Sequence, residues 1–414
     1  MEKGVRRFAR LYPWYYGFGA DLLFYITIDT LFLTLVKGFS AAEIVSITSI
    51  SQLVCIALQF PLLFVIKKIG NTASVRVGAF CLLLSSVLTT FGGSYYTVLV
   101  GRVLHDAAAI FRNASVVALE NNLELVGEQE DFVRVRATGN TVYSVITMVI
   151  SFVASAMFNL HPYFPMICCI ATCATAFVIS LLMKDCSPYN RIFPEKREKQ
   201  EKVKIHYSKI IVLIILVYSF FYPVLNHGQN EGKLFIQQNL LLDYSVEVTA
   251  LIIGAIVCAS RVIRVVSNIV FARLYGRYQD KMGFVLPTML SFAIGTILFA
   301  SFIPQAIVKI LVMAAAYTII LFVRDPFNLY MQDAVFASTE KEQHQTLLAI
   351  LSFGSKIASA GVGLAFSAIL LRWPMVVMMT ILLAISVIEI ILSIILYRAV
   401  IIKKRRNKPL QIAE

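Results

Sequence analysis

Apolar stretches long enough to cross a bilayer recur from one end of this chain to the other, most separated by only a few polar residues. A hydrocarbon core about 30 Å thick needs about 20 helical residues to span it. No water reaches the backbone there, so such a segment must satisfy its own hydrogen bonds, as an α-helix does. Twelve stretches fit, near 12–36, 42–66, 74–93, 95–119, 134–159, 163–183, 208–241, 246–272, 284–303, 306–331, 346–371 and 374–399. Composition agrees, with 58% hydrophobic and 15% charged residues, against about 45–50% and about 25% in a soluble domain. The expected fold class is an all-α integral membrane protein. The first stretch, which follows "MEKGVRRFAR", is too long for a signal-peptide core and lacks a small-residue cleavage site, so it reads as a membrane helix.

The basic residues orient the spans. Lys3, Arg6, Arg7 and Arg10 precede span 1, Lys67, Lys68 and Arg76 follow span 2, Arg273, Arg277 and Lys281 follow span 8, and "KKRR" follows span 12. With alternating spans all of these lie on one side, together with the lysine-rich segment between spans 6 and 7, while the opposite loops offer little beyond Lys37, Lys309 and Arg372. Positive loops stay cytoplasmic, so both termini are expected inside. The net charge of +13 is then a topology signal that also suits anionic lipid, not nucleic acid. Seven cysteines, mostly within apolar runs, suggest neither a disulfide framework nor a metal site. The expected organisation is a six-helix bundle over 1–184, a basic cytoplasmic linker over 185–207, a second bundle over 208–402 and a basic tail over 403–414. The short loops and compact length suit a bacterial cytoplasmic membrane and a monomer that handles a small molecule, with no cofactor and no metal.

The halves repeat. At an offset of 212 positions "FRNASVVALENNLELVGEQEDF" lies over "VRDPFNLYMQDAVFASTEKEQH", pairing Arg112 with Arg324 and Asn121 with Asp333. At a second offset "GFSAAEI" matches "DYSVEVT". Paired halves of this kind occur in secondary transporters. "GRYQDKMG" (Gly276 to Gly283) resembles the G-x-x-x-D-[RK]-x-G loop of the major facilitator superfamily. Its counterpart after span 2, "LFVIKKIGN", keeps Lys68 and Gly70 but has Lys67 where the acid belongs. "GRVLHDAAA" in span 4 is similar to that family's R-V-L-Q-G segment. The resemblance implies two pseudo-symmetric six-helix bundles and a cytoplasmic latch made of Gly276, Asp280, Lys281 and Gly283. The alternative for that segment is a short polar turn carrying topology charges.

Charges inside the spans are the candidate functional residues, because each costs about 2.5–3.5 kcal/mol at a bilayer centre unless it faces protein or water. By the resemblance, spans 1, 4, 7 and 10 line the central cavity, with 2, 5, 8 and 11 beside them. Arg112, Arg261, Arg264, Arg324 and Lys356 lie on those spans, as do Asp21, Asp29, Arg102, His105, Asp106 and Asp325. Arg261 and Arg264, at i and i+3, share one helix side. Arg261 lies roughly 18 Å from the cytoplasmic end of its span; for Arg264, snorkelling to the interface competes with a site role. Arg112 and Arg324 read equally as tethers or as solute contacts. Arg102 and Asp106, at i and i+4, have mutual pairing as their plain alternative. Glu389 in span 12 fits none of this.

Span 7 is the most polar. "FFYPVLNHGQNEGKLFIQQN" holds Asn226, His227, Gln229, Asn230, Glu231 and Lys233 beside Pro223, Gly228 and Gly232. Either the helix ends near Leu225, or it continues as a broken helix lining a cavity; the apolar run that follows favours the second. Tyr25, Tyr222 and Tyr317 are further candidate contacts, and Tyr317, Arg324 and Asn328 share a face by spacing. Cationic groups from both halves point to an anionic or zwitterionic organic solute. Asp21, Asp106, Glu231 and His105 are the candidate proton carriers, and sodium would use the same carboxylates. Competing readings are a drug or lipid exporter, an enzyme, and a sensor. The resemblance implies a glycine-proline motif in span 5 of a proton-driven exporter; here that span lacks proline, and glycine after Gly139, which counts against that reading. Adjacent helical residues diverge by about 100°, so Asp106 is not expected to orient His105 as an enzyme dyad would need.

Overall fold

The computed structural model describes residues 2–186, 209–339 and 341–406, and among these there is no strand. The helices are α1 (Glu2–Gly19), α2 (Tyr25–Leu31, continued by a π-helical turn, Phe32–Val36), α3 (Ala41–Ile69), α4 (Asn71–Phe91), α5 (Tyr95–Leu125), α6 (Asp131–Leu160), α7 (Phe164–Leu182), α8 (Lys209–Asp243), α9 (Val246–Ala300), α10 (Ala306–Ser338), α11 (Lys341–Leu370) and α12 (Met375–Arg406). Among the described residues ten segments are long and apolar enough to cross a membrane, two of them within α9, at 246–271 and 281–300. The remaining two expected crossings are the broken α1–α2 pair and α5. The latter's hydropathy is lowered by Arg102, His105, Asp106 and Arg112. Large apolar side chains such as Phe60, Phe64, Phe152, Phe292 and Phe299 are exposed, as a lipid-facing surface requires.

Local chemistry sets the helix ends. The Ser40 hydroxyl accepts the Glu43 amide while the Glu43 carboxylate accepts the Ser40 amide, a reciprocal cap that starts α3. Ser94 and Thr97 do the same for α5. Gly70, at φ +84°, separates α3 from α4 in a conformation that side chains disfavour.

The chain divides into two compact units. The first comprises Met1–Lys199 with Tyr244–Cys258; the second comprises Gln200–Asp243 with Ala259–Glu414. In the first, α4 packs on α5 and α7, α3 on α5, and α1 on α6 and α7. One core of that unit is built from Phe8, Tyr12, Val75, Ala118 and Leu119 with Met183. In the second, α8 packs against α10, α11 and α12.

Four expectations differ from this structure. Span 1 is not one helix: α1 stops at Gly19 and α2 begins at Tyr25. Span 7 is not broken: α8 runs unbroken from Lys209 to Asp243 through Pro223, Gly228 and Gly232. A single proline removes only one backbone donor and glycine costs about 1 kcal/mol, both within reach of tertiary packing. The turn expected over 276–283 is helical, since "GRYQDKMG" contains no proline to stop a helix. Finally, the opening turns of α9 belong with the first unit. There Asn159 Nδ2 donates to the Glu247 carbonyl at 3.0 Å, and a Cβ on Gly254 would lie 2.2 Å from Ser155 Oγ.

The residues after α7 also depart from the linker expected to start at 185. Asp185 is 2% exposed. Its carboxylate accepts from Asn71 Nδ2 at 2.8 Å and Asn121 Nδ2 at 3.4 Å, and its amide donates to Thr72 Oγ1 at 3.0 Å. The Cys186 amide donates to Asn122 Oδ1 at 2.8 Å. This strap ties the start of α4 to the end of α5.

Candidate functional site

Each unit brings several of its membrane charges together in a cluster. In the first unit the centre is the break between α1 and α2. A helix that stops inside a protein leaves carbonyls without partners. Arg112, reaching over from α5, donates to the Gly19 carbonyl at 3.1 Å and to the Ala20 carbonyl. The Asp21 carboxylate accepts the Leu22 amide at 2.8 Å and meets His105 Nε2 at 2.8 Å. The other imidazole nitrogen lies 3.1 Å from Asp106 Oδ1. Asp106 also accepts from Ser51 on α3 and lies 3.7 Å from Arg102 Nε. Asp21, His105 and Asp106 therefore form a continuous carboxylate–imidazole–carboxylate chain joining the α1–α2 break to α3. Tyr25 is buried on α2 beside it.

That chain corrects the expectation that Asp106 would not orient His105. Their backbone directions do diverge, but a histidine ring bridging Asp21 turns its Nδ1 back toward the next residue. Arg102 pairs with Asp106, as the spacing allows.

In the second unit the cluster joins α8, α9 and α10. Arg264 makes a forked ion pair with Asp325, Nε to Oδ2 at 2.6 Å and Nη2 to Oδ1 at 3.0 Å. It does not snorkel, because a fixed carboxylate one helix away outcompetes a more distant interface. Arg324 donates to Gln229 Oε1 at 2.9 Å and lies within electrostatic reach of Arg261, Arg264 and Tyr222. Arg261 Nε is buried without a hydrogen-bond acceptor. Tyr218 stacks with Tyr222, their ring centres 6.3 Å apart, and its hydroxyl donates to Asn328 Oδ1 at 3.2 Å. Tyr317 is buried.

The repeat is visible here. Both offsets map Gln229 into 17–24, the region of the α1–α2 break. Arg112 and Arg324 thus each reach to the first helix of their own half. The broken helix offers carbonyls; the unbroken one has none free, and a glutamine side chain supplies the acceptor.

The rest of the polar stretch of α8 turns elsewhere. His227 and Glu231, with side chains 2% and 4% exposed, lie 3.1 Å apart. His227 Nε2 is 2.9 Å from the Ser359 carbonyl on α11, and Asn226 Nδ2 donates to Ser359 Oγ at 2.9 Å. Asn230 donates to Asn226 at 3.3 Å. These four form a seam between α8 and α11, without a hydrogen bond or ion pair to an arginine among the described residues. Lys356 is exposed and makes no ion pair among the described residues. Glu389 is wholly buried, with Ser393 Oγ donating to it at 2.9 Å. Of the expected latch, the surroundings of Gly276 and the side chain of Asp280 lie outside what is described. Lys281 is exposed, and Gly283 lies so close to Tyr330 that a Cβ there would meet its hydroxyl at 2.3 Å. Among the described residues no group of three or more His, Cys, Asp or Glu is arranged to hold a metal ion.

Ser51 and the Asp185 strap were missed by the sequence reading. A lone serine and a linker aspartate carry no local signal; only packing brings them to their partners.

No family model and no curated protein matches the sequence. Solved structures do resemble the fold. A point variant of the nucleoside transporter NupG is 11% identical with a TM-score of 0.75, over 95% of this chain and 99% of that one. A bacterial homologue of the iron transporter ferroportin, in an inward-facing state, is 13% identical with a TM-score of 0.70, over 94% and 98%. The peptide transporter POT in complex with sulfate is 10% identical with a TM-score of 0.66, over 95% and 93%. The chain is an all-α membrane protein with the fold of the major facilitator transporters.

Proposed function

We propose that the chain is a secondary active transporter that moves a small organic anion or zwitterion across the cytoplasmic membrane by alternating access, coupled to protons. The observation that carries this reading is the sorting of intramembrane charge. Charges placed for stability alone would be paired or absent, because each is expensive in a membrane. Here one cluster of described residues in the second unit sets three arginines around a single carboxylate, and one in the first unit is a carboxylate–imidazole–carboxylate chain.

Arg261 and Arg324 bind the anionic group through forked hydrogen bonds, with Tyr222, Gln229 and Asn328 contacting the remainder. Arg264 is held by Asp325 and shapes the site. His105 passes a proton between Asp21 and Asp106, since its two nitrogens face the two carboxylates. Arg112 braces the α1–α2 break. The seam of Asn226, His227, Asn230 and Glu231 ties α8 to α11.

The resembled transporters support this reading at the level of fold. The enzyme reading regains a His–Asp contact, but the second nitrogen of His105 faces Asp21 and not a nucleophile. The exporter reading gains nothing from α6, a helix without proline.

The test is uptake by purified protein in liposomes under an imposed pH gradient, across a panel of organic anions. Asp21→Asn and His105→Gln should lose gradient-driven accumulation yet retain solute exchange, and Arg324→Gln should lose both. Uptake indifferent to the gradient and unaffected by Arg324→Gln would overturn the proposal.

A further inference from the structure

We infer that the arginine cluster of the second unit is built for a solute group carrying two negative charges, a phosphomonoester or a dicarboxylate, over one carrying a single charge. This rests on the anion-transport reading above and sharpens it.

The inference follows from counting charge. Arg324 lies within electrostatic reach of both Arg261 and Arg264, which sit one turn apart on α9, and arginine does not lose its proton in proteins. One carboxylate answers them. Asp325 spends both oxygens on the Nε and Nη2 of Arg264, so that pair is close to neutral. Among the described residues Arg324 donates to the neutral Gln229, and the carboxylate acting on it is the same Asp325 that Arg264 holds. Arg261 makes no ion pair among the described residues, and its Nε is buried without an acceptor. The other groups facing this region, Tyr218, Tyr222 and Asn328, are neutral. Among the described residues, three guanidiniums beside one carboxylate therefore leave two positive charges on membrane helices without a counter-charge, at positions where uncompensated charge is costly. A monoanion leaves one of them unanswered. A dianion answers both, and planar guanidinium forks suit the oxygens of phosphate and carboxylate.

The experiment compares matched pairs of ligands by calorimetry or thermal shift on the purified full chain. One pair is an alkyl phosphate and its isosteric alkyl sulfate at pH 7.5, where the phosphate is largely dianionic and the sulfate carries one charge. The other is succinate and its monoamide. The wild-type protein should bind the doubly charged member of at least one pair at least about tenfold more tightly, since close buried charge pairs couple by about 1.5 kcal/mol or more. The pair that responds tells a phosphate site from a dicarboxylate site. Arg261→Gln should reduce that ratio to about one, weakening the doubly charged member far more than the singly charged one, and Arg261→Lys, which keeps the charge, should retain most of the preference. Equal binding of both members of each pair, or equal weakening of both by Arg261→Gln, would overturn this inference alone. Absence of binding by any anion would overturn the anion reading beneath it as well.

Discussion

Replacing Asp185 by alanine tests whether the residues after α7 are part of the first unit or the start of a free linker. Asp185 is almost wholly buried, and its carboxylate accepts one short hydrogen bond from Asn71 and one long one from Asn121. A hydrogen bond to a charged group contributes about 1.5–3 kcal/mol net. The 3.4 Å contact adds little, and Asn71 is only half-buried, so water can partly replace what is lost. A cost of about 2 kcal/mol follows for Asp185→Ala, and about 1 kcal/mol for Asp185→Asn, which keeps an acceptor but not its charge. For a unit of roughly 200 residues that lowers the midpoint of thermal unfolding by about 4–8 °C and about 2–4 °C. The neighbouring thiol offers an independent readout. The Cys186 amide is held by Asn122 Oδ1, and a Cβ on Gly4 would lie 2.9 Å from its Sγ. Maleimide labelling of Cys186, with the other cysteines replaced, should be slow in the parent and at least several-fold faster in Asp185→Ala and in Asn122→Ala. Unfolding midpoints within 1 °C of the parent, with labelling already as fast as for a free thiol, would refute the docked strap.

Two further outcomes are expected. A side chain at position 254 has no room against Ser155 Oγ and the Ser151 carbonyl, so Gly254→Val should destabilise the protein by about 1–3 kcal/mol in thermal unfolding. Adding Ser155→Gly should recover part of that; no recovery would show that the α6–α9 approach is not the cause. Arg112→Gln strips the Gly19 and Ala20 carbonyls of their donor, whereas Arg324→Gln leaves α8 with its own hydrogen bonds, so the first variant should lose about 2 kcal/mol more stability than the second. Equal losses would contradict the different roles assigned to these repeat-related arginines.

Several site residues were recognisable as charges out of place, but their partners were not. Arg264 is equally consistent with snorkelling and with pairing until α10 sets Asp325 beside it. His105 and Asp106 look unable to meet until Asp21, more than eighty residues away, fixes the ring between them. The polar run of α8 looks like one site. It divides because Gln229 faces α10 while Asn226 and His227 face α11, a difference of a few residues of helix phase that no pattern of polarity reveals.

The amino-acid sequence by itself determined that this chain lies in a membrane as helices, in two related halves, with costly charges held on particular spans. Those properties follow from hydropathy and backbone hydrogen bonding, which act along the chain. Only the tertiary structure decided where the helices stop and which charges cancel. It placed the break at Ala20, the unbroken course of α8, the fork between Arg264 and Asp325, and the strap at Asp185. Each depends on distances between helices far apart in sequence, and electrostatic and hydrogen-bond energies are set by those distances.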